Sequence, residues 1–211
     1  MHISDGILSG PVLAVGFVGT AIIAGLTLRK MDIEEIPKVS VITAVFFVAS
    51  LIHVPIGPSS VHLILNGLVG VVLGWRAFPA VLLGIILQAI LFGHGGVSVI
   101  GVNTLMMGGG ALAGYGLWQL RHFVSMGRKE VIFGALAGGG AVLVSGLILS
   151  LALVTTGEQF NVMAGAVLLA HIPIIIVEAF VVGAAAGFLA RVRPQILAGG
   201  NTTPLADRTP A

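Results

Sequence analysis

The chain has 211 residues, of which 57% are hydrophobic and only 9% are charged, and its mean hydropathy is +1.12. These values lie far outside those of soluble domains and predict a membrane protein. The net charge of +2, without a basic run interleaved with aromatics, gives no support to a nucleic-acid partner, and the absence of cysteine excludes disulfides and thiolate metal sites.

The apolar runs of the sequence predict an all-α protein, a bundle of seven transmembrane helices. A single transmembrane domain is expected over residues 1–193, and the Thr-, Pro- and Ala-rich residues 194–211 are expected to form a disordered tail. The predicted spans lie near residues 8–28, 39–54, 60–75, 77–93, 98–120, 131–155 and 162–190.

The basic residues predict the orientation of this bundle. All ten of them fall in the loops on one side of the predicted spans, and the positive-inside rule makes that side cytoplasmic. The amino terminus is then outside and the carboxyl terminus cytoplasmic. The ten residues are Arg29, Lys30, Lys38, Arg76, Arg121, Arg128, Lys129, Arg191, Arg193 and Arg208.

The first two residues form a compact nitrogen chelator. The amine of Met1 and the deprotonated amide of His2 close a five-membered ring on a metal, and the same amide closes a six-membered ring with Nδ1 of His2. Three nitrogens then lie in one plane, a geometry that suits Ni(II) or Cu(II) better than tetrahedral zinc. Residues 1–9 contain no Lys or Arg, which argues against a cleaved signal peptide, so Met1 is expected to be retained.

Four histidines fall at the predicted outer ends of spans and are candidates to converge: His2, His53, His62 and His94. The best-aimed of these is His62, because Gly57 and Pro58 predict a turn and either Ser59 or Ser60 can cap the helix that follows. A single histidine at a membrane interface more often snorkels or caps a helix than binds a metal.

Two amides and a glycine-rich segment follow. Gln88 and Asn103 place amides in or near the bilayer, where they can support the site or form hydrogen bonds between helices. Glycines on both sides of His94 are expected to let the backbone approach closely.

Together these motifs resemble a known family. The start Met-His-Ile with Asp5-Gly6, the turn from Gly57 to His62, and the segments Phe-Gly-His-Gly-Gly at 92–96 and Gly-Val-Asn at 101–103 look like the substrate-binding membrane component of nickel and cobalt energy-coupling factor importers, the CbiM/NikM family.

This resemblance implies a high-affinity capture site for nickel or cobalt. The metal ligands would be Met1, His2 and His62, with His94 as a supporting residue. It also implies a separate transmembrane coupling subunit with ATPase subunits, and a location in the cell membrane of a prokaryote. Whether an additional small membrane subunit is needed is left open by the sequence.

No phosphate-binding loop is present, so a transporter subunit without its own ATPase or resident cofactor is expected rather than an enzyme. The alternative is a self-contained secondary transporter or channel for a cation. It would use Glu178, an acidic residue deep in the last span, together with His171 two helical turns earlier.

Overall fold

The computed structural model describes residues 2–51, 53–56 and 59–199, with only the backbone for 53–56 and 59–62. Within these ranges the chain forms seven α-helices and one antiparallel hairpin. The helices are α1 Gly10–Leu28, α2 Ile36–Ala49, α3 Asn66–Leu73, α4 Ala77–Phe92, α5 Ile100–Gln119, α6 Lys129–Thr156 and α7 Asn161–Val192, and the strands are β1 His53–Ile56 and β2 Ser59–His62.

Consecutive helices alternate in direction, so the bundle has two distinct ends. At one end, Arg76 pairs with Glu35 and the rings of Trp75 and Tyr115 lie 5.8 Å apart. This end collects the basic loops, as the sequence predicts. At the opposite end the backbone of Ser9 meets α6 at its last residues. Which end faces the cytoplasm remains a prediction from the positive-inside rule.

Helix α5 lies at the centre of the bundle and packs against α1, α3, α4 and α6. Its Met106, Met107 and Trp118 are completely buried. Small residues allow this packing: a Cβ added at Gly70 of α3 would lie 2.2 Å from the carbonyl oxygen of Ala111. Such close backbone approach is typical of helices that pack within lipid.

The described helices expose large apolar side chains on the outside of the bundle, where a membrane protein meets lipid. Phe180 and Phe188 of α7, for example, keep 77% and 63% of their surface exposed. In the part of the chain that the structure describes, four segments are long and apolar enough to span a membrane: residues 10–28, 66–92, 129–156 and 158–192. The chain is therefore an all-helical multi-pass membrane protein, apart from its short hairpin.

The third predicted span, near residues 60–75, is not a membrane-spanning helix. Residues 59–62 are in β2, and α3 has only eight residues, a length of about 12 Å against a hydrocarbon core of about 30 Å. Pro55 within β1 disfavours helix on both of its sides. Apolar composition alone could not distinguish this hairpin and short helix from a full span.

The segment 66–92 also reverses direction at Gly74, whose φ of +62° breaks the helix. Contacts with α5 show the direction of α3. Asn66 lies near Met107, and Gly70, further along α3, lies near the later residue Ala111, so α3 runs parallel to α5. Helix α4 runs the other way. This turn brings the end of α4 back to the amino-terminal end of the bundle.

Residues 194–199, placed by the sequence prediction in a disordered tail, pack against the basic end. Arg121 and the indole nitrogen of Trp118 both donate to the carbonyl oxygen of Ala198, at 2.9 and 3.0 Å. Burial lowers the pKa of Arg121 to about 10, which leaves it cationic at neutral pH. Residues 200–211, the rest of the predicted tail, lie outside the described residues.

The close contact between α3 and α5 predicts that Gly70→Ala destabilises the fold. Its new methyl group would meet a backbone carbonyl that cannot move independently, and overpacking of this kind costs about 1–3 kcal/mol. Gly25→Ala in α1 is the matched control, because a Cβ there has no neighbour within 4 Å. Thermal unfolding in detergent should show a lower Tm for Gly70→Ala only; equal Tm values would contradict the packing.

Candidate functional site

The amino-terminal segment lies in a crevice between α4, the α4–α5 connection and α5. Its anchor is Ile3, whose backbone forms a reciprocal pair of hydrogen bonds with the side chain of Asn103. The N–H of Ile3 donates to Oδ1 at 3.0 Å, and Nδ2 of Asn103 donates to the Ile3 carbonyl at 3.1 Å. Ile3 and Asn103 are 3% and 1% exposed. One helix side chain thus satisfies both backbone groups of a non-helical residue.

A second attachment lies two residues further on, at Asp5. Its N–H donates to the Gly95 carbonyl at 2.8 Å, and its carboxylate accepts hydrogen bonds from the N–H and hydroxyl of Ser98 at 3.1 and 2.5 Å. A Cβ at Gly96 would lie 1.9 Å from that carboxylate, and Gly96 has a φ of +114°. Close approach is thus confirmed for the glycines after His94, Gly95 and Gly96, whereas a Cβ at Gly93, before it, would have no neighbour within 4 Å.

His2 is held by a chain of hydrogen bonds that ends on a backbone carbonyl. The hydroxyl of Ser50 donates to the Phe47 carbonyl at 2.6 Å, so it accepts the hydrogen bond from Nε2 of Gln88 at 2.8 Å. The other atom of the Gln88 amide, Oε1, lies 2.8 Å from Nε2 of His2. Ser50 and Gln88 are 2% and 0% exposed.

The direction of this chain sets the tautomer of His2. A carbonyl can only accept, so each donor along the chain must point toward Phe47, and Oε1 of Gln88 must accept from Nε2–H of His2. A neutral imidazole that carries its proton on Nε2 has an unprotonated Nδ1. The buried amide therefore orients the ring and places its proton on Nε2, so that Nδ1 carries an electron pair and no proton.

His94 shares this region. The centroid of its ring is 5.8 Å from that of His2, with 34° between the planes, and 5.9 Å from that of Phe92. The structure therefore brings together His2, Gln88, His94 and Asn103, four of the residues selected from the sequence.

The remaining predicted residues are only partly described. Met1 and the side chains of Ser60 and His62 lie outside the described residues, while the backbone of β2 pairs His62 with His53 across the hairpin. Among the residues the structure does describe, no three His, Asp or Glu side chains form a metal-binding group. The proposed ligands from Met1 and His62 are consequently untested by this geometry.

Sequence reasoning missed two parts of the site. Ser50 directly follows α2 and contacts Gln88 from 38 positions away in the chain, and Ser98 contacts Asp5 from 93 positions away. Neither serine lies in a motif, and serine is common in membrane helices, so no local signal was available. A buried Gln88 in need of two partners was the indirect signal.

These apolar helices and the docked amino-terminal segment define a multi-pass membrane protein whose polar side chains converge at one end of the bundle. Residues 2–196 match the family described as the cobalt uptake substrate-specific transmembrane region, CbiM, and the chain belongs to that family.

Relatives and a solved structure agree with this family. A candidate metal transport protein of Haemophilus influenzae is 34% identical over 93% of this chain and 97% of its own length. The fused nickel transport protein NikMN of Rhodobacter capsulatus is 34% identical over 82% of this chain, which spans 53% of that longer protein. The crystal structure of a truncated transition metal transporter has a TM-score of 0.72 at 27% identity, over 90% of this chain and 99% of that one.

The Asn103 anchor predicts that Asn103→Leu releases the amino-terminal segment. Both hydrogen bonds to Ile3 would be lost, leaving its backbone groups to water or without partners. Hydrogen exchange should then quicken over residues 3–5 while the helices stay protected. Thr104→Val is the control, since this neighbouring hydroxyl is buried and has no partner among the described residues. Equal exchange in Asn103→Leu and the parent would contradict the anchor.

Proposed function

We propose that this chain captures Ni(II) or Co(II) with high affinity, as the substrate-binding subunit of an ATP-driven importer of the energy-coupling factor type. The observation that carries the proposal is the chain of hydrogen bonds from His2 through Gln88 and Ser50 to the Phe47 carbonyl. It fixes His2 in the tautomer whose Nδ1 can bind a metal. The two buried polar side chains, Ser50 and Gln88, are compensated for their burial by these same hydrogen bonds, the last of which is to the His2 ring.

The chemistry requires Nδ1 in particular. Met1 contributes its amine, and His2 contributes its amide nitrogen and Nδ1, which together close a five- and a six-membered ring on the ion. His62 is the proposed fourth donor, and Ser60 a supporting residue in the same strand. Gln88 orients His2 by accepting a hydrogen bond from Nε2–H, the ring nitrogen that does not bind the metal, as outer-sphere partners of metal-bound imidazoles do. His94 and Asn103 complete the surroundings.

The comparisons support a transition metal as the substrate. The matching family is described by cobalt uptake, and a relative is named for nickel transport. A planar nitrogen site favours Ni(II) over Co(II) by the Irving–Williams order, whereas availability in the cell decides which ion is taken up. The ion is cargo in this proposal, and the protein needs no resident cofactor.

Energy would come from partner proteins. We expect a transmembrane coupling subunit and ATPase subunits. Whether an additional small membrane subunit is also needed is left open. Relatives that are named as fused transport proteins, NikMN and CbiMQ, support association with further transport components. The proposal also includes a prokaryotic cell membrane, with the amino terminus outside and the carboxyl terminus cytoplasmic. No chemical reaction is assigned to this subunit.

The alternative, a secondary transporter that relays protons through Glu178 and His171, has less support. Glu178 accepts hydrogen bonds from the backbone N–H groups of Ile64 and Leu65. The His171 ring is hydrogen-bonded to the Val167 carbonyl of its own helix. In the described part of the chain no hydrogen bond joins the two side chains. Proton-driven uptake in liposomes without an ATPase partner would favour this alternative.

The direct test of the proposal is to extend the amino terminus. A peptide extension converts the Met1 amine into an amide and so removes the donor that closes the five-membered ring with the His2 amide nitrogen. A protein with a cleavable amino-terminal tag should retain Ni(II) weakly before cleavage at Met1 and strongly afterwards, and a carboxyl-terminal tag should have no effect. Equal retention before and after cleavage would refute the site.

The Gln88 hydrogen bond yields a further prediction. Gln88→Leu removes the acceptor for Nε2–H of His2, so the ring loses its orientation and its preferred tautomer. Ni(II) affinity should fall about 10–100-fold, the usual effect of losing an outer-sphere partner. Thr104→Val, the same buried control, should bind like the parent. Titration of both variants against a competing chelator measures the difference; an unchanged affinity in Gln88→Leu would show that the amide has no role in binding.

A further inference from the structure

Glu178 is the one acidic side chain that the described part of the chain buries completely. It projects from α7, and its Oε1 accepts hydrogen bonds from the N–H groups of Ile64 and Leu65 at 2.5 and 2.9 Å. No Lys or Arg among the described residues lies within ion-pair distance of it. The contact crosses 114 positions of sequence, from the last helix to the residues that follow β2.

The two amides need this acceptor because Ile64 and Leu65 directly precede α3, which begins at Asn66. N–H groups at and just before a helix start have no partner within the helix, and inside a membrane water does not replace one. One carboxyl oxygen thereby accepts hydrogen bonds from the N–H groups of two residues.

Glu178 also holds an unusual backbone conformation. Leu65 has a φ of +53°, in the left-handed region that costs a non-glycine residue about 1–2 kcal/mol. Its N–H is one of the two that donate to the carboxylate. A backbone held away from its preferred conformation persists only where surrounding contacts impose it, and here the hydrogen bond to Glu178 is such a contact.

The contact with Glu178 lies directly after the hairpin in the chain, so it fixes the point where the hairpin ends. Strand β2 ends at His62, and only Leu63 separates that residue from the first bonded amide, at Ile64. The carboxylate is itself held on the paired helices α6 and α7, where Ser150 donates to the Ala164 carbonyl at 3.0 Å. The end of the hairpin is thus attached to the two longest helices of the bundle.

We propose that Glu178 is a positioning residue for metal capture: it locks the exit of the hairpin so that His62 is presented to the chelate formed by Met1 and His2. This inference rests on the proposed function, since it acts through His62 as the fourth donor. It assigns Glu178 a role in binding rather than in a proton relay. What the role requires of the side chain is an acceptor oxygen at the reach of Glu.

The experiment is a double-mutant cycle in the full-length protein with a free Met1, measured by Ni(II) titration. Glu178→Ala should lower affinity about 10–100-fold, as loss of a residue that orients a ligand does. Glu178→Gln keeps an acceptor oxygen at the same reach and should restore most of that loss. In a His62→Ala background Glu178→Ala should cause no further loss, because coupled residues are not additive.

Two controls separate positioning from general stability. Ser150→Ala removes a buried hydrogen bond between the same helices, so it should lower Tm without changing Ni(II) affinity. The visible absorption of Ni(II) bound to Glu178→Ala should move toward that of His62→Ala, which a merely less stable protein would not show. If Glu178→Ala does not fold, Glu178→Asp replaces it, since the shorter side chain withdraws the oxygen; its loss of affinity should likewise vanish in His62→Ala.

Two results would overturn the inference. One is a folded Glu178→Ala, or Glu178→Asp in its place, that binds Ni(II) like the parent. The other is a loss that remains fully additive with His62→Ala. Failure of the proposed function itself would look different, because the parent protein with a free amino terminus would then bind no Ni(II) at all.

Discussion

The reciprocal hydrogen bonds between Asn103 and the backbone of Ile3 are the contact on which the site depends. A non-helical segment buried at the end of an apolar bundle has backbone groups that neither lipid nor a regular helix satisfies. Asn103 supplies one acceptor and one donor from a single side chain, at 3.0 and 3.1 Å. With Ile3 fixed, the preceding residue His2 has little freedom, and its ring meets Gln88.

The same constraint recurs wherever the chain leaves a helix. At the start of α3 the acceptor is Glu178, which serves the amides of Ile64 and Leu65. At the basic end it is the Ala198 carbonyl, which accepts from Trp118 and Arg121. Polar residues are scarce in this sequence, and these buried ones satisfy irregular backbone. Function and structure use the same groups, because the irregular segments are also those that surround the site.

Glycines are the second feature on which the fold and the site depend, because they let neighbouring groups approach the backbone closely. Gly70 lets α3 pack against the backbone of α5, and Gly96 leaves room for the Asp5 carboxylate. The first contact builds the centre of the bundle and the second closes the crevice over the amino terminus. Since both distances leave no space for a Cβ, the arrangement of helices and the docking of the amino terminus depend on the same chemical property, the absence of a side chain.

The sequence by itself determined the membrane class and the collection of basic loops at one end, and it offered His2, Gln88, His94 and Asn103 among its candidates for one site. The first two follow from composition and charge placement, and the candidates follow from the cost of polar groups in lipid and from the family resemblance. Only the tertiary structure decided that residues 60–75 comprise a strand end and a short helix, because apolar residues suit either conformation when both are buried. It alone revealed the contacts of Ser50 and Glu178, since hydrogen bonds between residues 38 and 114 positions apart leave no periodic signal in the chain.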